Sequence, residues 1–145
     1  MVGELSGSAS PKIMVELYGV SGRQTPPSYF EAIIDTGFTG GISMPVSLAL
    51  PLGLVLFSTA TFTLADGSKE NVFLCFGSIR LGEQEKTLVF SLSRGNDILL
   101  GTEFLSVFKS KLTIDYLTKE FILEPQDSGA KNDTTEQPTS SNKYT

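Results

Sequence analysis

Between residues 11 and 125, apolar side chains come in short alternating runs, and turn-forming residues interrupt those runs at close intervals. Ile13, Val15 and Leu17 alternate with Met14, Glu16 and Tyr18. A second run, residues 29–35, follows a loop that contains Pro26-Pro27. Residues 59–65 and 72–76 flank Asp66-Gly67, where glycine supplies the positive φ that a tight hairpin turn needs. Residues 78–81 and 87–92 predict another hairpin across Gly82 to Glu85, and residues 111–115 and 119–124 predict a third across Tyr116 to Thr118. Helical spacing is confined to residues 46–50, before Pro51, and 102–109. In the latter, Phe104, Leu105 and Phe108 share a face, and Thr102 is placed to cap. Many short strands and little helix predict an all-β barrel or sandwich.

The pattern divides the chain into three zones. Residues 1–10 are small and polar and are expected to be flexible. Residues 11–125 are expected to form the folded domain, and a chain of 145 residues that is 40% hydrophobic suits one core. Residues 126–145 carry no aliphatic side chain beyond Ala130, cannot offset their ordering entropy by burial, and are expected to be a disordered tail. No window approaches the length of a membrane span. A net charge of −5 without a Lys/Arg cluster disfavours nucleic acid as a partner. One cysteine and no signal-like start lead to the expectation of a reducing, cytoplasmic interior.

The chain has no histidine. That removes Ser-His-Asp and Cys-His hydrolases, because no imidazole can take the nucleophile's proton. It also removes nearly every catalytic zinc site, since those lean on His ligands. Cys75 lies in the apolar run 72–76 and is expected to be a buried small side chain rather than a nucleophile. Catalysis would have to rest on carboxylates, lysines, hydroxyls or backbone.

Asp35 stands out among the carboxylates. It ends an apolar strand-like run, Ala32-Ile33-Ile34, and opens the turn Thr36-Gly37. A charge is costly there unless chemistry or a partner compensates it. Peptide hydrolysis by carboxylates needs one neutral and one ionised group on a shared water, and two carboxyls about 3 Å apart hold one proton between them. Asp66, Asp97, Asp115 and Asp133 are not followed by Thr-Gly or Ser-Gly. Asp127 precedes Ser128-Gly129, but it lies in the polar tail, after Glu124-Pro125-Gln126. A second carboxylate must then come from a second copy, with Asp35 of each subunit meeting on a two-fold axis.

The run Ala32 to Gly40, with Asp35-Thr36-Gly37 at its centre, resembles the active-site motif of aspartic peptidases, and is most similar to the small single-domain retropepsin-like branch found in prokaryotes as well as retroviruses. Asp97 to Leu105 resembles that family's second signature, two apolar residues and a glycine leading into a short helix. The Asp66-Gly67 hairpin lies between the two signatures, where the family carries its substrate-covering flap, and Leu112 to Asp115 is similar to its closing strand. The resemblance spans roughly residues 11–125. It implies a closed, retropepsin-like β-barrel with a flap and one short C-terminal helix, a homodimer, and a peptide or protein substrate. Asp35 would be catalytic. Thr36 would brace the active-site loops across the dimer, and Gly37 would let the backbone approach the carboxylate. The flap, at Leu64, Ala65, Asp66, Gly67 and Ser68, would cover an extended peptide by main-chain pairing.

Phe38 departs from the family, which carries Ser, Thr or Ala after Asp-Thr-Gly. The change removes a hydroxyl donor that would favour the ionised form, so activity is expected at mildly acidic to near-neutral pH. The ring could also shape a substrate pocket. Two other readings follow from the same residues: a dimerisation or peptide-binding module that keeps the fold without turnover, and a protease that processes its own tail.

Overall fold

The computed structural model describes residues 1–5, 7, 10–19, 28–63, 65–93 and 95–126. In chain order its strands are β1 (Val2–Glu4), β2 (Lys12–Gly19), β3 (Ser28–Ile34), β4 (Ile42–Pro45), β5 (Val55–Thr63), β6 (Lys69–Leu81), β7 (Gln84–Ser93), β8 (Leu99–Leu100), β9 (Ser110–Asp115) and β10 (Glu120–Pro125). A four-residue helix α1 (Val46–Ala49) continues into a 3-10 turn at Leu50–Leu52, and α2 spans Thr102–Val107. Leu64 and residues 127–145 lie outside the described residues, and so does the state of the tail.

Alternation decides what each strand buries. In β2, Ile13, Val15 and Leu17 are buried while Lys12 and Met14 are exposed. Six strands, in the order β2-β3-β8-β4-β7-β6, close into a barrel because β6 pairs back onto β2. β5 hangs on the outer side of β6, so the β5–β6 hairpin reaches beyond the barrel. Most pairings are antiparallel, but β3–β8 and β4–β7 run parallel. Fully buried Phe90, Phe104, Phe108 and Phe121 fill the core. Deleting one such ring typically costs about 3–5 kcal/mol. Cys75 is buried in this core, and burial pushes its thiol up, as expected of a structural rather than nucleophilic cysteine.

The three hairpins form where turn residues predict them, but several boundaries differ. Strand β6 runs without a break through Gly77, which pairs with Leu88, and the Phe90 ring occupies the space a side chain would need. The two runs read on either side of Gly77 are therefore one strand. No strand is legible in residues 1–10, yet Val2–Glu4 pairs with β10 and makes a three-stranded sheet, β1-β10-β9. The helix α2 is shorter than its spacing predicts, because Lys109 adopts φ 50°. Gly101, not Thr102, holds the cap position, and no side chain caps the helix.

Candidate active site

Asp35 follows the last residue of β3, and its backbone N–H donates to the carbonyl of Leu100 at 2.9 Å. That bond continues the β3–β8 ladder, in which Ile33 and Ile34 pair with Leu99 and Leu100. The second apolar signature thus lies against the strand that presents Asp35. Asp35 as a residue is half-buried, and its Oδ1 accepts the Gly37 N–H at 2.9 Å. A side chain at Gly37 would stand 3.2 Å from that same oxygen, so glycine leaves the bond uncrowded. Phe38 N–H closes the turn onto the Asp35 carbonyl at 3.1 Å. Thr36 is exposed beside it.

The loop after Asp35 is tied to the start of α2. Thr102 N–H donates to the Phe38 carbonyl at 2.8 Å, and Gly101 N–H donates to the Gly41 carbonyl at 2.9 Å. The Thr102 hydroxyl reaches the Thr39 carbonyl at 3.4 Å, a loop contact in place of the capping role. The half-buried Phe38 ring sits against Gly40 and Gly101, where added β-carbons would come within 2.7 Å of it.

A groove of about 360 Å³ opens beside Asp35 and Thr36. Ile33, Leu99, Leu112, Ile114 and Tyr116 are among its lining residues. None of these five is singled out as a site residue by the motif; the alternation of Leu112 and Ile114 after the second signature is the signal that could have found two of them.

A row of half-buried side chains crosses the sheet from this groove. Ile33 pairs with Leu99, Leu99 with Ser43, Ser43 with Ser91, and Ser91 with Leu74 at the base of the β5–β6 hairpin. Each of the five is half-buried. The adjoining row, Ile34, Leu100, Ile42, Phe90 and Cys75, is buried in the core. The barrel wall therefore has one closed face and one open face, and the open face begins at Asp35.

At the far end of the hairpin, Ala65, Asp66, Gly67 and Ser68 are all exposed. Asp66 Oδ1 accepts the Ser68 N–H at 2.8 Å and its hydroxyl at 2.6 Å, and Gly67 takes φ 88°. The Ser68 hydroxyl, and then its N–H, hold the Asp66 carboxyl below its usual range. These contacts make Asp66 a turn former. The structure thus brings Asp35, Thr36 and Gly37 into one loop with Phe38 packed behind it, and residues 65–68 of the hairpin tip are not part of the groove lining beside Asp35. Among the described residues no cluster of His, Cys, Asp and Glu could hold a metal ion. No helix among them is long and apolar enough to cross a membrane.

No protein-family model matches the sequence, and no curated protein does. The fold does match solved structures. One is the protease of EIAV in complex with the inhibitor HBY-793, with a TM-score of 0.53 at 14% identity, covering 72% of this chain and 93% of that one. At that identity the likeness is one of architecture: this chain has a retropepsin-like all-β fold.

Proposed function

We propose that this chain is an aspartic endopeptidase that works as a homodimer. The observation that carries the reading is the position of Asp35: a half-buried residue whose carboxylate is fixed by the Gly37 N–H, at the edge of a groove in a retropepsin-like barrel. One Asp-Thr-Gly per chain fits the single-domain branch of such enzymes, the one also found in prokaryotes. Two Asp35 carboxylates, one from each copy, would hold a water and a single shared proton. The ionised one takes a proton from the water as it attacks the scissile carbonyl, and the neutral one donates to the carbonyl oxygen. Thr36, exposed next to Asp35, is positioned to meet the partner's loop. The β5–β6 hairpin would close over an extended peptide, pairing through main chain at its tip, Leu64 to Ser68. No cofactor takes part in this chemistry. Phe38 offers Asp35 no hydroxyl, and we place the activity at mildly acidic to near-neutral pH in a reducing, cytoplasmic interior.

The test is cleavage of an unfolded protein or peptide library by wild type and Asp35→Asn, from about pH 3 to about pH 8, a span that covers the ordinary carboxylate range. Wild type should cut and the variant should not. A folded, dimeric wild type that cuts nothing at any pH would leave a peptide-binding module as the better reading.

A further inference from the structure

We propose that the apolar cavity at the base of the β5–β6 hairpin is a binding site for one small, uncharged aromatic molecule, and that its occupant holds the hairpin base against the barrel. The site lies apart from the Asp35 groove and does not depend on the peptidase reading.

The cavity follows from the way the strands alternate. Across β6 and β7, Phe73 pairs with Leu92, Leu74 with Ser91, and Cys75 with Phe90. Directly paired residues share a face of the sheet, and successive pairs change face. Leu74 and Ser91 belong to the open face that begins at Asp35. Phe73, Leu92 and Cys75 turn to the other side, and there they line a cavity of about 290 Å³. Leu56 of β5, which pairs with Cys75, lines it as well, and so do Val46 and Ala49 of α1. One guest would therefore touch β5, β6, β7 and α1 together. Its binding would oppose any opening that parts the hairpin base from α1.

The chemistry of the lining selects the guest. Among the described residues that line the cavity, none carries a charge, a hydroxyl or a side-chain amide. The exception to pure hydrocarbon is Cys75, and burial pushes its thiol up, so it stays neutral. A bound water needs two to four polar partners, which these side chains do not offer, whereas an apolar guest needs none. A charged guest would give up its hydration without recompense. Packed interiors hold few voids larger than a water molecule. A cavity of about 150 Å³ is enough for benzene, so this one has room for about two rings. The Phe73 ring in its wall favours an aromatic guest. At the mouth, Leu50, Leu56 and Phe73 are 75%, 58% and 48% exposed, so a guest would also cover apolar surface that water now meets.

Naphthalene is the probe, and 2-naphthoate is its charged counterpart. Naphthalene should move the methyl resonances of Val46, Leu56 and Leu92 saturably, and leave those of Ile33, Leu112 and Ile114 beside Asp35 in place. 2-Naphthoate should move none of them. Ala49→Leu and Cys75→Met each put extra carbon into the cavity, and each, once shown to be folded, should weaken naphthalene binding about 10-fold or more. With naphthalene at about twice its dissociation constant, amide exchange at the base of β5 and β6 should slow about 3-fold. No saturable shift in wild type, equal shifts with 2-naphthoate, or full binding by a folded cavity-filling variant would overturn the site. Binding that leaves amide exchange unchanged would overturn the hold on the hairpin. These readouts need no turnover: a chain that binds naphthalene and cuts no peptide at any pH keeps the site and loses the peptidase reading alone.

Discussion

The α-carbon of Gly101 lies so close to the carbonyl of Phe38 that a β-carbon there would stand 2.5 Å from the Phe38 oxygen and closer still to the carbonyl oxygen of Gly40. Both obstacles are backbone, and neither can turn away as a side chain could. The Asp35 loop and the start of α2 therefore meet main chain to main chain. Gly101→Ala should destabilise the fold by about 1–3 kcal/mol, the usual cost of forcing extra atoms into a packed site. The cost should also appear at the loop: faster amide exchange of Gly37 and Phe38 than in wild type. Unchanged thermal stability would show that the two segments can part without cost.

The two-copy arithmetic can be tested with mixtures. If activity needs Asp35 from both subunits, an equal mixture of wild type and Asp35→Asn chains, allowed to exchange, should keep about a quarter of the wild-type rate, the statistical share of unmixed pairs. Asp127→Asn should keep the full rate, although Asp127 precedes Ser-Gly. Half activity in the mixture would mean that each chain works alone, and a dead Asp127→Asn would mean that the second carboxylate is its own.

Ser43 and Ser91 sit side by side on the open face, between Leu99 and Leu74, and no hydrogen bond engages either hydroxyl among the described residues. A substrate side chain settling on that row would meet two hydroxyls flanked by apolar walls. Ser43→Val and Ser91→Val should shift preference from amide or hydroxyl side chains toward aliphatic ones. The ratio of kcat/KM values between an Asn and a Val peptide should move about 10-fold or more, the range expected when a site built for hydrogen bonds loses them. An unchanged ratio in the double variant would place the row outside the substrate path.

How much of this was legible in the sequence depends on how far each contact reaches along the chain. The Asp66-Gly67 turn and the β9–β10 turn are local, and the residues that make them are the ones that signal them. Asp35 was legible because a carboxylate at the end of an apolar strand is itself anomalous. The short β1 was not, since three residues that include a glycine carry no period. Barrel closure joins β2 to β6, and nothing in either strand names the other. The same holds for the groove: Leu112 and Ile114 read as one strand's inward face, and only the fold brings that face against Asp35. Thr102 had the right residue type for a cap, but the carbonyl of Thr39 claims its hydroxyl.

Asp115 gives the β9–β10 turn an acid sensitivity of its own. Its Oδ1 accepts the N–H groups of Leu117 at 2.9 Å and Thr118 at 3.2 Å. The Thr118 bond, and then the Leu117 bond, hold the carboxyl below its usual value of 3.8. A carboxyl depressed by folding adds stability that is present above the unfolded value and is lost as pH falls through the folded one. The β9–β10 turn should therefore weaken below about pH 4, the ordinary aspartate range. Asp115→Asn keeps an oxygen acceptor for the turn and removes the titration. Its melting temperature should fall less than that of wild type between about pH 5 and about pH 2.5, while Asp115→Ala should be less stable than both at pH 7, where wild type holds its ionised acceptor. Parallel pH profiles for wild type and Asp115→Asn would show that the turn bonds do not depend on the charge.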